Sequence, residues 1–105
     1  MDELLTMIGE MGIQFSYDHF AEGEGINPPF ICYLIPQSDN FSADGTVYFP
    51  ANEIHIELYT DKKDLESEQA VESALKNHNV FYTKYEMWID SEKLFQVLYI
   101  FEWRA

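Results

Sequence analysis

Apolar and polar positions alternate most regularly over residues 53–60, where Ile54, Ile56 and Leu58 fall on one side and Glu53, His55, Glu57 and Tyr59 on the other. Period two marks a strand with one buried and one wet face. A charged turn at Asp61, Lys62 and Lys63 follows, and the period then becomes helical. Asp64 suits the N-cap, Glu66 and Glu68 suit the positive end of the helix dipole, and Ala70, Val71, Ala74, Leu75 and His78 form an apolar stripe. Polar residues 77–79 stop this helix.

The flanking segments are read in the same way. Asp2 can cap a first helix with Leu4, Leu5, Ile8 and Met11 on its apolar face, and Gly12 stands where a left-handed C-terminal residue is wanted. Residues 13–17 alternate as a strand, whereas 18–25 lose all periodicity and read as an acidic loop. Asn27, Pro28 and Pro29 end it. Residues 30–35 form a continuous apolar run, consistent with a strand covered on both faces and closed by Pro36. Residues 37–45 are turn-rich around a lone Phe41, which could either pin the loop or face a partner. Residues 46–49 return to strand character, and Pro50 implies a bulge or bend before 53–60. After the second helix, 85–89 and 94–103 read as two strands joined across a polar tetrad, Asp90 to Lys93. The reading is a single α+β domain over residues 1–105, in the order α-β-β-β-α-β-β, mostly antiparallel, with two helices packed on one face of the sheet.

Composition agrees. A chain of 105 residues with 47% hydrophobic and 16% aromatic content can bury roughly two thirds of its unfolded surface without disulfides or a metal. Six Lys and Arg against nineteen Asp and Glu leave a net charge of −13, which provides no basic stripe for nucleic acid phosphates. The balance fits plain solubility, a basic protein partner, or a surface that DNA must slide past. No segment approaches the ~20 apolar residues of a membrane span, and the N-terminus lacks a basic leader, so the expected compartment is the cytoplasm. The single cysteine, Cys32, lies within an apolar run and is expected to be buried with a raised pKa, unsuited to act as a nucleophile.

Other chemistry is sparse. His19, His55 and His78 lie far apart and form no metal-binding spacing. Asp18, His19, Glu22 and Glu24 read as a solvated loop before they read as an oxygen-donor site. Phe95, Tyr99, Phe101 and Trp103 recur at period two, which favours core over a ligand platform. No catalytic, cofactor or metal residue is expected, and the chain is read as non-enzymatic.

The segments 54–64, 65–75, 88–92 and 97–102 together resemble the small tail terminator or tail-completion proteins, and related head–tail joining proteins, of long-tailed bacteriophages and Gram-positive prophages. The resemblance implies a virion structural protein made in the host cytoplasm. Its subunits form a ring, typically a hexamer, on the tail tube, stop tube polymerisation and face the head connector. Partners would be further copies of the chain, the tube protein and the connector, with no cofactor. DNA would pass through the ring without binding it, and a negative lumen wall would fit the charge. Loop residues Asp18, Phe20, Glu22, Glu24, Asp39, Phe41 and Asp44 are the expected contacts, since long turn-rich segments often carry function. The alternative is an acidic inhibitor or DNA mimic of a mobile element that covers a basic enzyme, to which Glu66, Glu68 and Glu72 would contribute one helix surface.

Overall fold

The computed structural model describes the backbone of residues 2–18, 27–38, 41–43, 46–49 and 51–104, and the side chains of 3–18, 27–36 and 52–103. Its elements are α1 (Asp2–Gly9), β1 (Phe15–Tyr17), β2 (Phe30–Ser38), β3 (Phe41–Ala43), β4 (Thr46–Phe49), β5 (Ala51–Thr60), α2 (Leu65–Asn77), β6 (Tyr82–Ile89) and β7 (Leu94–Arg104). A five-stranded sheet runs in the order β1-β2-β5-β7-β6, antiparallel throughout except for the parallel β1–β2 pair. Leaving aside β3 and β4, which form a separate two-stranded sheet, the order is the α-β-β-β-α-β-β read from the sequence.

Alternation explains the layering. Ile54, Ile56 and Leu58 of β5 pair with Phe101, Tyr99 and Val97 of β7, and all six are buried on one face. Ile31 joins them from β2. The helices cover this face: α1 brings Leu4, Met7 and Ile8, the turn after it brings Met11, and α2 brings Val71, Ala74 and Leu75. Gly12 adopts φ +72°, the left-handed conformation its place after α1 predicted. Asp64 caps α2 as expected, its Oδ1 accepting from the Ser67 backbone N–H at 3.0 Å and its Oδ2 from the Ser67 hydroxyl at 2.8 Å. At the other end Asn79 takes φ 57°, with Val80 N–H donating to Leu75 O at 3.0 Å and Asn79 N–H to Lys76 O at 3.0 Å, a Schellman closure.

Four expectations change. Met7 is buried in α1, while Leu5 is 38% exposed. Asp2 is the first helical residue rather than a cap outside the helix. Pro36 does not close β2, which continues to Ser38, and the register with β5 shifts between Leu34 and Gln37, the kind of irregularity where a strand tolerates proline. The turn-rich segment 37–45 contains strand β3, which pairs with β4.

Candidate functional site

Of the seven loop residues expected to make contacts, Asp18 alone has a described side chain. Its φ is 64°, it is exposed, and its backbone N–H donates to Tyr33 O at 2.8 Å, where β1 ends beside β2. Phe20, Glu22, Glu24, Asp39 and Asp44 lie outside the described residues. Phe41 opens strand β3, and its side chain is likewise outside them.

Chemistry concentrates on the two faces of the sheet. Between α2 and β6 lies an ion cluster centred on Glu68, a 2% exposed carboxylate that the sequence reading placed at the helix dipole. Lys84 Nζ meets Glu68 Oε1 at 2.8 Å and Glu72 Oε2 at 2.8 Å, and Lys63 Nζ meets Glu68 Oε1 at 3.1 Å and Glu86 Oε2 at 2.7 Å. Glu68 Oε2 lies 2.9 Å from Lys63 Nζ as an ionic contact without a directed hydrogen bond. The buried Tyr99 hydroxyl donates to Glu72 Oε2 at 2.8 Å, and the two ammonium groups sit over the Phe95 and Tyr99 rings. Burial pushes the Glu68 carboxyl up, but hydrogen bonds from Lys84 and Lys63 outweigh it and hold the pKa below the ordinary value. Bonds to Glu68 and Glu72 hold the Lys84 ammonium above its ordinary value. Every member is engaged in joining helix to sheet. Glu66, by contrast, is exposed, so Glu66, Glu68 and Glu72 do not form one free acidic surface.

Among the described residues the opposite face carries no helix. Its central row holds Glu53, His55, Glu57 and Tyr59. His55 Nε2 lies 2.9 Å from Glu53 Oε2, and Tyr59 donates to Glu57 Oε1 at 2.9 Å while accepting from Gln96 Nε2 at 2.8 Å. Phe30 stacks on Tyr59 with ring centroids 5.0 Å apart. Burial, with Asp18 adding to it, raises the Glu57 pKa against the lowering effect of Tyr59 and His55. Cys32, opposite Glu57, is 5% exposed, and burial first, then the Glu57 and Asp18 charges, raises its thiol to about 11, as expected of an inert core cysteine.

The sign of the Glu57 shift leads to a prediction. A raised carboxyl pKa means that the folded state favours the neutral form; this stabilisation is present below the ordinary value of 4.5 and is lost as pH rises through the folded pKa. Glu57→Gln keeps an acceptor for the Tyr59 hydroxyl and removes the half-buried charge. It should raise Tm by a few degrees at about pH 7, with the gain shrinking toward about pH 4, as thermal melts at the two pH values would show. An unchanged or lower Tm at neutral pH would disprove it.

The sequence reading missed the outer edge. Four of the seven exposed large hydrophobic residues among those described, Phe81 (95%), Tyr85, Met87 and Trp88, lie along β6 or immediately before it. Phe81 stands between two open grooves. One, of about 580 Å³, runs between α2 and the start of β6 past Glu72 and Lys76; the other, of about 440 Å³, reaches Glu3, Glu102 and Trp103. The aromatic-rich segment 85–89 reads as a strand, but its place at an edge depends on pairing with β7. Among the described residues no three His, Cys, Asp or Glu side chains gather as a metal-holding group. No helix of the described residues is long and apolar enough to cross a membrane.

No protein-family model matches the chain, and no curated protein matches it by sequence. Among solved structures it is similar to a chain described as "Virion of native gene transfer agent (GTA) particle", with a TM-score of 0.64 and 11% identity over 93% of this chain and 82% of that chain. At that identity the likeness is one of fold, and it spans most of both chains.

Proposed function

We propose that this protein is a structural subunit of a phage-like virion, and specifically a tail terminator or head–tail joining protein that forms a ring on the end of the tail tube. The observation that carries the reading is the near full-length fold likeness to a chain from a gene transfer agent virion, a phage-like particle. The sequence resemblance to small tail-completion proteins points the same way independently. The net charge of −13 suits a component that DNA passes without adhering. In this reading the chain acts by shape and by contact with other virion proteins, and it catalyses nothing. Glu68, Lys63 and Lys84, its most concentrated charged groups, serve to fix α2 against β6. The acidic-inhibitor alternative loses support, because Glu68 and Glu72 are neutralised by lysines and turned toward the sheet.

The test is electron microscopy of particles made by a phage or induced prophage whose copy of this gene is stopped near Leu5, with the intact gene supplied in trans as control. Overlong tubes, or full heads and tails that fail to join, are expected. Normal infectious particles would remove the protein from virion assembly.

A further inference from the structure

Among the described residues strand β6 is a sheet edge whose charged side chains, Lys84 and Glu86, are both engaged in ion pairs within the chain. Sheet edges are usually blunted by shortness, proline, a bulge or an outward lysine. The other edge, β1, has three residues; β6 has eight, without proline, and pairs with β7 in continuous register. Its one lysine, Lys84, keeps its side chain 34% exposed but is tied on the helix face to Glu68 and Glu72 rather than extended from the edge. The apolar residues at 81, 85, 87 and 88 remain exposed beside a backbone that, among the described residues, pairs only with β7. Removing these apolar side chains from water is favourable, so this edge gains from a covering strand.

The order of residues along β6 identifies that strand. In an antiparallel pair, directly opposed residues must lie on the same face, which restricts a strand pairing with its own copy to registers centred on a residue. Centring on Lys84 opposes two lysines, and centring on Glu86 opposes two glutamates, both unfavourable. Centring on Tyr85 sets Lys84 against Glu86 of the second copy, Tyr85 against itself, Thr83 against Met87, Tyr82 against Trp88 and Phe81 against Ile89. This register opposes opposite charges and aromatic to aromatic, and it covers Phe81.

The ion cluster is continuous with it. Glu86 is already held by Lys63 and Lys84 by Glu68, so the pairing places one copy's Lys63–Glu86 pair beside the other's Lys84–Glu68 pair and makes a chain of alternating charge across the two-fold axis. Three aromatic residues and a methionine per copy, together with the strand backbone, bring the buried area to the order of 1,000 Å², the lower bound of a specific interface. Both copies keep their helices on the same side of one sheet of doubled width.

We infer that two copies of this chain pair through antiparallel β6 edges with Tyr85 on the two-fold axis. The inference is independent of the virion reading. Such a contact is closed and adds no third copy, so it describes the free protein rather than a ring.

Cysteine cross-linking of the full chain tests it, with buried Cys32 as a silent background. Directly opposed residues of an antiparallel pair have Cα atoms ~4.5–5.5 Å apart, within disulfide range. Under mild oxidation Tyr85→Cys should form a covalent dimer about tenfold faster than either Thr83→Cys or Met87→Cys alone, because those two positions oppose each other and not themselves. A mixture of the Thr83→Cys and Met87→Cys proteins should form the mixed dimer. Sedimentation of the unsubstituted protein should show a dimer at tens of micromolar. Monomer sedimentation, a closed assembly of higher order, equal cross-linking at all three positions, or preference for 83 or 87 alone would each overturn the pairing.

Discussion

Replacing Glu68 with leucine should destabilise the fold by about 2–3 kcal/mol in urea denaturation, while the double substitution Glu68→Leu with Lys84→Met should lie well short of the sum of its single changes. Breaking a buried ion pair from one side strands the remaining charge, typically at about 3–5 kcal/mol. Here the lysine side chains are 44% and 34% exposed and can turn to water, Glu72 or Glu86, which lowers the figure. Removing both partners takes the stranded ammonium away. A coupling of about 1–2 kcal/mol between positions 68 and 84 is expected, and additive single effects would sink the account. The pH dependence follows from the directions of the shifts. Glu68 is held below its ordinary 4.5, so its contribution is present above that value and is lost as pH falls through the lower folded pKa. Lys84 is held above its ordinary 10.5, so its contribution is present below that value and is lost as pH rises through the higher folded pKa. The difference in stability between the native chain and Glu68→Leu should therefore be flat across neutral pH and narrow at both extremes.

That cluster also marks where local sequence pattern stops carrying information. Helix dipoles favour a glutamate in the first turn, and that local signal accounts for Glu68 without requiring its burial. Its burial depends on Lys84, across the sheet, and on Lys63 in the preceding turn. Strand β5, helix α2 and the Asp64 cap were legible because alternation, helical period and capping are local. The same held for Tyr99 and Phe101, whose period-two spacing placed them in the core. The phase of α1 was legible only in part. Leu5 lies about 100° around the helix from Leu4, on the rim, whereas Met7 lies about 60° to the other side and close to Met11, so geometry and not hydrophobicity decides which is buried. Pro36 was read as a stop because proline cannot donate to a ladder, and the shift between Leu34 and Gln37 accommodates it. The exposed edge was not legible. Residues 85–89 have the composition of an interior strand, and only the order β1-β2-β5-β7-β6 puts them at the rim. Among the expected contact residues, Asp18 is placed where β1 ends beside β2, near Cys32 and Glu57, and no contact role is read from that position.

Tyr99→Ala should destabilise the fold more than Glu68→Leu does. Tyr99 is fully buried beneath both helices, meets the Tyr82 ring edge-on at 5.3 Å between centroids, and carries the Lys84 ammonium over its own ring at 5.9 Å. Truncating a buried aromatic typically costs about 3–5 kcal/mol, a large part of the ~5–15 kcal/mol that stabilises a domain of this size. Tyr99→Phe separates packing from polarity. It retains the ring and loses only the bond to Glu72, whose side chain is 31% exposed and can be hydrated instead, so about 1 kcal/mol is expected. Burial first, then the bond to the Glu72 carboxylate, pushes the Tyr99 hydroxyl pKa up, which favours its role as a donor. Urea denaturation of the two variants would rank the contributions. If Tyr99→Phe proved nearly as damaging as Tyr99→Ala, the joint between α2 and the sheet would depend on the hydroxyl and its ionic neighbours. If Phe were tolerated and Ala were not, the ring itself would be the keystone, with the lysines and glutamates setting the position of β6 rather than the survival of the core.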